Sequence, residues 1–431
     1  MKVTKNKTVI SLFTGCGGMD LGFEGGFSVP AHSVNPKTHP QWIERHSGEN
    51  WVKLRDTQFQ TVFANDILED AKIAWAGYFS KKNNSNVSKI FHLESIVDFI
   101  KHNSSSKKNG FPSRVDVLTG GFPCQDFSVA GKRKGFLSSK SHTGTKLKKC
   151  DDPSLENRGT LYMWMREAIN VAQPKMFVAE NVKGLVSLSN AKKVIENDFR
   201  SIGDGGYLVV PAKLLNAAEF GVPQKRERVF FYGFRVKSLK KKAIEALSQD
   251  EIPLEFDPYP FPTHTYTKQY QLLNAQDLKP SVTVAEALWG LLEPYATNDI
   301  DQQSYSKARW YGRHVQGQTE IKRDALGPTI RAEHHGNIEF RRLSKKNGGK
   351  QDDETSKGLP ERRLTVRECA RLQTFPDDYT FVNKPNGSSK HLVSASDAYR
   401  LIGNAVPPIL AYNISKRLEF IWDNLFKRSK K

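Results

Sequence analysis

The sequence predicts an α/β protein, a doubly wound domain on a parallel sheet with a second, smaller domain, and three observations carry that prediction. Four short apolar runs with β-branched residues, at 8–13, 61–64, 115–119 and 176–179, each end in a cluster of small or polar residues. Helix-like stretches lie between them, and the one over 161–172 has apolar residues at 161, 165, 168, 169 and 172, on one helical face. Near-continuous apolar strands alternating with helices read as a parallel sheet covered on both sides. Reactive residue types also collect just after the runs, where ligands of such sheets sit, beyond the carboxyl ends of the strands.

Taken in order, the runs lead into Thr14-Gly-Cys-Gly-Gly18, Asn65-Asp66, Gly120-Gly-Phe-Pro-Cys124 and Glu180-Asn181. Pro258, Pro260 and Pro262, set among aromatics, mark a domain crossing, after which apolar periodicity is weak to about residue 360. Thr365-Val-Arg-Glu368 is a capping box that opens a short helix ending before Pro376. A final helix is expected from Pro407-Pro408, docking through Ile414, Leu418, Ile421, Trp422 and Leu425. The expected division is therefore 1–257 plus 390–431 for the large domain and 258–389 for the small domain and hinge. Polar patches at 81–88, 102–109 and 138–149 read as surface loops.

The chain has 431 residues, and its 65 Lys and Arg against 46 Asp and Glu give a net charge of +19, which favours a polyanionic partner. The longest apolar runs fall far short of the roughly 20 residues of a membrane span, and no signal peptide is read at the start. Four cysteines without paired spacing argue against a disulfide framework or a metal site, so a soluble cytoplasmic protein with free thiols is expected.

Several residues could carry chemistry. Ser11-Leu-Phe-Thr-Gly-Cys-Gly-Gly-Met-Asp20 is a strand, a glycine turn and a helix start, which lets backbone approach a cofactor closely. A tight turn without a ligand is the alternative, and the absence of a full G-x-G-x-x-G lowers the case for a dinucleotide. Asp66 suits a ribose diol or a helix cap. Cys124 leaves its strand on a stiff turn, and Lys132, Arg133 and Lys134 would favour the nucleophilic thiolate; the alternative is a buried small hydrophobe. Cys16, Cys150 and Cys369 lack that setting. Glu180 in a cleft would hold a proton and donate it, or cap a helix. Gln224-Lys-Arg-Glu-Arg228 is a solvated turn or brings an arginine inward to a carbonyl or phosphate.

With Arg363-Leu-Thr-Val-Arg-Glu368 and Gly403-Asn-Ala-Val-Pro407, these motifs in this order closely resemble the bacterial DNA (cytosine-5) methyltransferases of restriction–modification systems, over nearly the whole length. The resemblance implies a Rossmann-like methyltransferase domain that binds S-adenosylmethionine and releases S-adenosylhomocysteine, plus a target-recognition domain. It implies methylation at C5 of a cytosine flipped out of duplex DNA, through a covalent Cys124–C6 intermediate. Glu180 would hold and protonate N3, and Arg228 would grip O2, with Arg226 of the same motif counted in the catalytic set. Phe13, Gly15, Cys16, Gly17, Asp66, Ile67, His92, Pro123, Asn404 and Val406 would line the cofactor site. Ser11 stands where the family usually has Asp, Ile67 replaces a frequent aromatic, and His92-Leu93 or Glu94 replaces an Asp-Ile pair.

For DNA contact the expected residues are Gln125, Ser128, Lys132, Arg133 and Lys134 beside the nucleophile, and Arg309, Arg313 and Arg331 in the small domain. Between 131 and 150 stand Lys132, Arg133, Lys134, Lys140, Lys146, Lys148 and Lys149 and no acid, so an extended loop over 137–157 would close on phosphates, or be a solvated insert. A monomer is expected, and the resemblance leaves room for a cognate restriction endonuclease acting on the same site, whose existence the sequence does not decide. The same motifs would serve a transfer-RNA methyltransferase, although the long stretch between Arg228 and Arg363 suits groove readout of duplex DNA. Cys124 with Glu180 and Arg228 disfavours a silent DNA-binding protein or a nicotinamide dehydrogenase.

Overall fold

The computed structural model describes residues 5–83, 87–103, 110–123, 161–186, 191–203, 205–266, 277–311, 317–332, 338–385 and 387–427. The chain begins with β1 (Lys7–Leu12), α1 (Gly18–Glu24), β2 (Ser28–Pro30), β3 (Ile43–His46), β4 (Trp51–Leu54), β5 (Phe59–Asp66) and α2 (Glu69–Asn83). It continues with β6 (Phe91–Leu93), α3 (Ile96–Asn103), β7 (Val117–Gly121), α4 (Leu161–Ala172), β8 (Met176–Val182) and α5 (Ala191–Arg200). Then come β9 (Tyr207–Asn216), β10 (Glu227–Arg235), α6 (Lys241–Leu247), α7 (Val366–Leu372), α8 (Ala395–Asn404) and α9 (Pro408–Leu425), with shorter elements between α6 and α7.

Seven strands form one sheet in the order β6-β5-β1-β7-β8-β10-β9. Its centre is parallel, as the apolar runs predict, and the four runs become β1, β5, β7 and β8. Successive residues on β1, β7, β8 and β10 enter two different apolar clusters: Val9, Val117, Met176 and Phe230 on one face, Ile10, Leu118, Phe177 and Phe231 on the other. That is the period-2 alternation of a sheet buried on both sides. β10 runs antiparallel to both β8 and β9. Only residues 217–226 join β9 to β10, fewer than the dozen or so a parallel crossover needs.

A separate three-stranded sheet, β2-β4-β3, was not legible in the sequence, because its strands are short and carry charge on exposed positions. The polar patch at 81–88 is not all loop. α2 runs through Lys81 and Lys82 to Asn83, where cations suit the negative end of the helix dipole.

The capping box at Thr365 forms, with the Thr365 hydroxyl accepting from the Glu368 N–H at 3.0 Å and the Glu368 carboxylate accepting from the Thr365 N–H at 2.9 Å. α9 begins at Pro408 and buries Ile414, Leu418, Ile421, Trp422 and Leu425. Its Ser415 hydroxyl donates to the Gly22 carbonyl at 3.1 Å, fixing the C-terminal helix against α1. In the described part of 258–389, buried ion pairs do much of what apolar periodicity does elsewhere. Arg362 meets Glu368 at 2.8 Å and Glu293 at 3.0 Å, and Arg367 meets Asp299 at 2.6 Å. Apolar residues of this segment, such as Val284, Ile330 and Phe381, join the same buried cluster as Val9 and Leu425. Among the described residues no helix is long and apolar enough to cross a membrane, and no group of three or more His, Cys, Asp or Glu is placed to hold a metal.

Candidate active site

A cavity of about 470 Å³ opens at the carboxyl edge of the sheet, lined by the ends of β1, β5, β7 and β8, by Arg228 at the start of β10, and by the α8–α9 junction. After β1 the chain takes left-handed conformations at Phe13 (φ 52°), Gly15 (φ 55°) and Gly17 (φ 76°). The Gly15 N–H donates to Asp66 Oδ2 at 2.8 Å, and Leu68 N–H donates to Asp66 Oδ1 at 3.0 Å. Asp66 thus caps its own turn and ties down the glycine loop, while each carboxylate oxygen keeps further acceptor capacity. Burial pushes its carboxyl up, opposed by the N–H groups of Gly15, Leu68 and Ile67. Gly17 does not line the cavity. A Cβ there would lie 2.5 Å from Trp75 Cδ1, so the glycine lets α1 start hard against α2.

Behind the loop, the Trp75 indole donates to Asp20 Oδ2 at 2.7 Å, and Ser11 also bonds Asp20. Burial pushes the Asp20 carboxyl up to about 7. The departure at Ser11 therefore has a physical setting: its hydroxyl accepts from Thr14 at 2.6 Å, and a second carboxylate at this position would stand beside a buried one.

On the far wall, Glu180 Oε1 accepts from Arg228 Nε at 2.9 Å, with both side chains nearly buried. Burial raises the Glu180 carboxyl above its usual range, only partly offset by Arg228 and Arg226. Gly121 lies opposite Glu180 in the β7–β8 register, and a Cβ there would come 2.9 Å from Glu180 Oε2, so glycine leaves the carboxyl its space. The Asn181 amide donates to the Phe122 carbonyl at 3.1 Å and binds the end of β8 to the turn at Gly121–Pro123.

Other expected residues fall differently. Arg226 is a correction: it is fully buried and does not line the cavity. Its guanidinium donates to the carbonyls of Ile330 at 2.9 Å, Gly403 at 2.7 Å and Ala405 at 2.8 Å. Gln224, equally buried, donates to the Leu372 carbonyl at 3.1 Å and accepts from the Ile330 N–H at 2.9 Å. Residues 224 and 226 frame the site, and residue 228 enters it. His92 is a second correction. Its ring stacks on Phe63 with centroids 4.3 Å apart, and Ser95 and Ile96 at the start of α3 line the cavity instead. Phe13, Gly15, Cys16, Asp66, Ile67, Pro123, Asn404 and Val406 all line it.

Arg400 and Leu401 also line it and were missed. They lie four and three residues before Asn404 on α8, and that helical spacing could have found them. Cys124, Gln125, Ser128, Lys132, Arg133, Lys134, the insert 137–157 and Arg313 lie outside the described residues. Pro123 is the last described residue before Cys124. Arg309 and Arg331 do not line the cavity; Arg309 is exposed, and the carbonyls on either side of it, Ala308 and Trp310, accept from the buried Arg363 at 2.8 and 3.1 Å.

The sequence over 52–419 matches the model of the C-5 cytosine-specific DNA methylases. The chain is 31% identical over 416 residues to the type II methyltransferase M.BspRI of Lysinibacillus sphaericus, covering 95% of this chain and 81% of that protein. It is 30% identical over 430 residues to the type II methyltransferase M.NgoFVII of Neisseria gonorrhoeae, covering 97% and 88%. The crystal structure of the S. pombe Dnmt2 methyltransferase superposes with a TM-score of 0.50 at 16% identity, covering 96% of this chain and 99% of that one, which speaks to the fold alone.

Proposed function

The chain belongs to the C-5 cytosine-specific DNA methylase family, and from that premise we propose that it methylates C5 of one cytosine within a specific duplex site, protecting DNA in a restriction–modification system. The observation that carries the reading is the Glu180–Arg228 pair, 2.9 Å apart, on the same cavity as the Gly15–Asp66 turn. One wall suits a pyrimidine edge and the other a nucleoside-bearing cofactor.

The lining of the cavity supports S-adenosylmethionine as the cofactor. Its volume of about 470 Å³ lies in the usual range of small-molecule sites, apolar Leu12, Phe13, Ile67 and Ile96 suit an adenine ring, and Asp66 retains acceptor capacity for a ribose diol. Asn404 and Val406 would complete the methionine side.

Cytosine C5 is a poor nucleophile while the ring is aromatic. Addition of the Cys124 thiolate at C6, with proton delivery from Glu180 to N3, turns C5 into an enamine carbon. The raised affinity of the Glu180 carboxyl for a proton supports that role, and Arg228 would hold both Glu180 and the neighbouring ring oxygen O2. S-adenosylmethionine, when bound, supplies the methyl group. Loss of the C5 proton to water then expels the thiolate, and N3 returns its proton to Glu180. The base must leave the duplex first, at a cost of a few kcal/mol. We assign this chemistry to 1–257 with 390–431, and site readout to 258–389, with Arg309, Arg313 and Arg331 as DNA contacts.

The test is trapping. Duplex DNA carrying 5-fluorocytosine at the target, incubated with the protein and S-adenosylmethionine, should give a denaturant-resistant complex, because fluorine at C5 blocks the final elimination. Bisulfite sequencing of DNA from cells expressing the protein locates the site to substitute. A methyl mark on transfer RNA with none on duplex DNA would overturn the reading.

A further inference from the structure

A second cavity, of about 660 Å³, lies away from the first, between the three-stranded sheet and the far end of α2. Asp66 and Leu68, just before α2, line the first cavity, and Tyr78, Lys81 and Lys82 line the second. A fifteen-residue helix is about 22 Å long, so the two sites stand at opposite ends of it.

The wall of this cavity gathers five cationic side chains, Lys5, Arg45, Lys53, Lys81 and Lys82. Arg45 of β3 and Lys53 of β4 are direct cross-strand partners, an arrangement that costs stability between like charges. Three of the five have carboxylates. Lys5 and Lys82 share the fully buried Glu24 at 3.3 and 3.2 Å, and Lys53 pairs with Glu44 at 3.3 Å. Asp56 and Asp378 are the acids of the wall itself. Arg45 and Lys81 are exposed and have no ion pair among the described residues. Since Glu44 already answers Lys53, the cations of this wall with no acidic partner among the described residues are Arg45, on β3, and Lys81, at the end of α2, and both line the same space.

We infer that this cavity binds a phosphate-bearing anion between Arg45 and Lys81, at a site separate from the cofactor cavity. The guanidinium matches phosphate oxygens as a fork and the ammonium adds a point charge, and the anion would supply the acidic partner that Arg45 and Lys81 lack among the described residues. The same chemistry is met in a free polyphosphate and in a nucleic-acid backbone.

Titration calorimetry of the full chain with pyrophosphate tests this, using Arg45→Ala with Lys81→Ala, and Lys241→Ala with Lys242→Ala on exposed α6 as control. Far-UV circular dichroism confirms that each variant is folded. The wild type and control should bind alike, and the cavity variant at least tenfold more weakly. A labelled single-stranded oligonucleotide separates the sources. If its log affinity loses about 0.7 of slope in log salt per phosphate contact in the cavity variant, the anion is a backbone phosphate. An unchanged slope together with weakened pyrophosphate binding identifies a free polyphosphate. Equal pyrophosphate affinity in wild type and cavity variant, or no binding to wild type by about 10 mM, overturns the site.

Discussion

Replacing Arg226 by lysine separates a framing role from a chemical one. The guanidinium holds three carbonyls on two stretches of chain, Ile330 on one side and Gly403 and Ala405 on the other. A single ammonium at the end of a flexible stem cannot reach both stretches with the same fork. Two stranded carbonyls at about 1–3 kcal/mol each give a loss of about 2–6 kcal/mol. Because Gly403 to Ala405 lead into the cavity-lining Asn404–Val406 turn, the loss should also loosen the cofactor wall. Urea unfolding followed by tryptophan fluorescence should show an earlier midpoint for Arg226→Lys, and calorimetry should show weakened S-adenosylmethionine binding. Turnover at saturating cofactor should fall less than the affinity does. A variant with the wild-type midpoint and cofactor affinity, yet without turnover, would refute the framing role and return Arg226 to the chemistry.

Four further outcomes are expected. Glu180→Gln keeps the shape of the Arg228 contact but has no proton to give, so methyl transfer should fall about 10²–10⁴-fold with DNA binding retained; since burial raises the Glu180 carboxyl, the wild-type rate should decline as pH rises through that raised value, and the variant should lack that limb. Cys124→Ser should abolish both methylation and the 5-fluorocytosine complex while gel shifts persist; an active serine variant would exclude Cys124 as nucleophile. Gly17→Ala places a methyl group 2.5 Å from Trp75 at a left-handed residue, and about 2–5 kcal/mol of destabilisation should appear as a lower melting temperature. The Asp20 carboxyl, raised to about 7 from 3.8, binds its proton more tightly folded than unfolded, so its contribution is complete below about pH 4 and is lost as pH rises towards 7. At 1.36 kcal/mol per unit that is about 4 kcal/mol at most, and urea midpoints of Asp20→Asn between pH 4 and 8 should vary less than those of the wild type.

What the amino-acid sequence determined by itself was local. Apolar runs set β1, β5, β7 and β8, because the middle of a strand buried on both faces is apolar or small on successive residues. Thr365 and Glu368 set the start of α7, and Pro408 with the helical spacing behind it set α9, because caps and amphipathic faces are written within one or two turns. The cavity residues on strand ends, Gly15, Asp66 and Glu180, were legible for the same reason. Long-range geometry was not. The sequence shows Arg226 and Arg228 as near-identical neighbours, and only packing against residues 330 and 403–405 separates the buried frame from the arginine that meets Glu180. His92 gave way to Ser95 and Ile96 because its ring is claimed by Phe63, a contact between residues 29 apart in the chain. In 258–389 the core is held partly by Arg–carboxylate pairs, whose partners lie up to 69 residues apart. No periodicity records such pairs, since charge complementarity at a distance leaves no mark on the spacing of either partner.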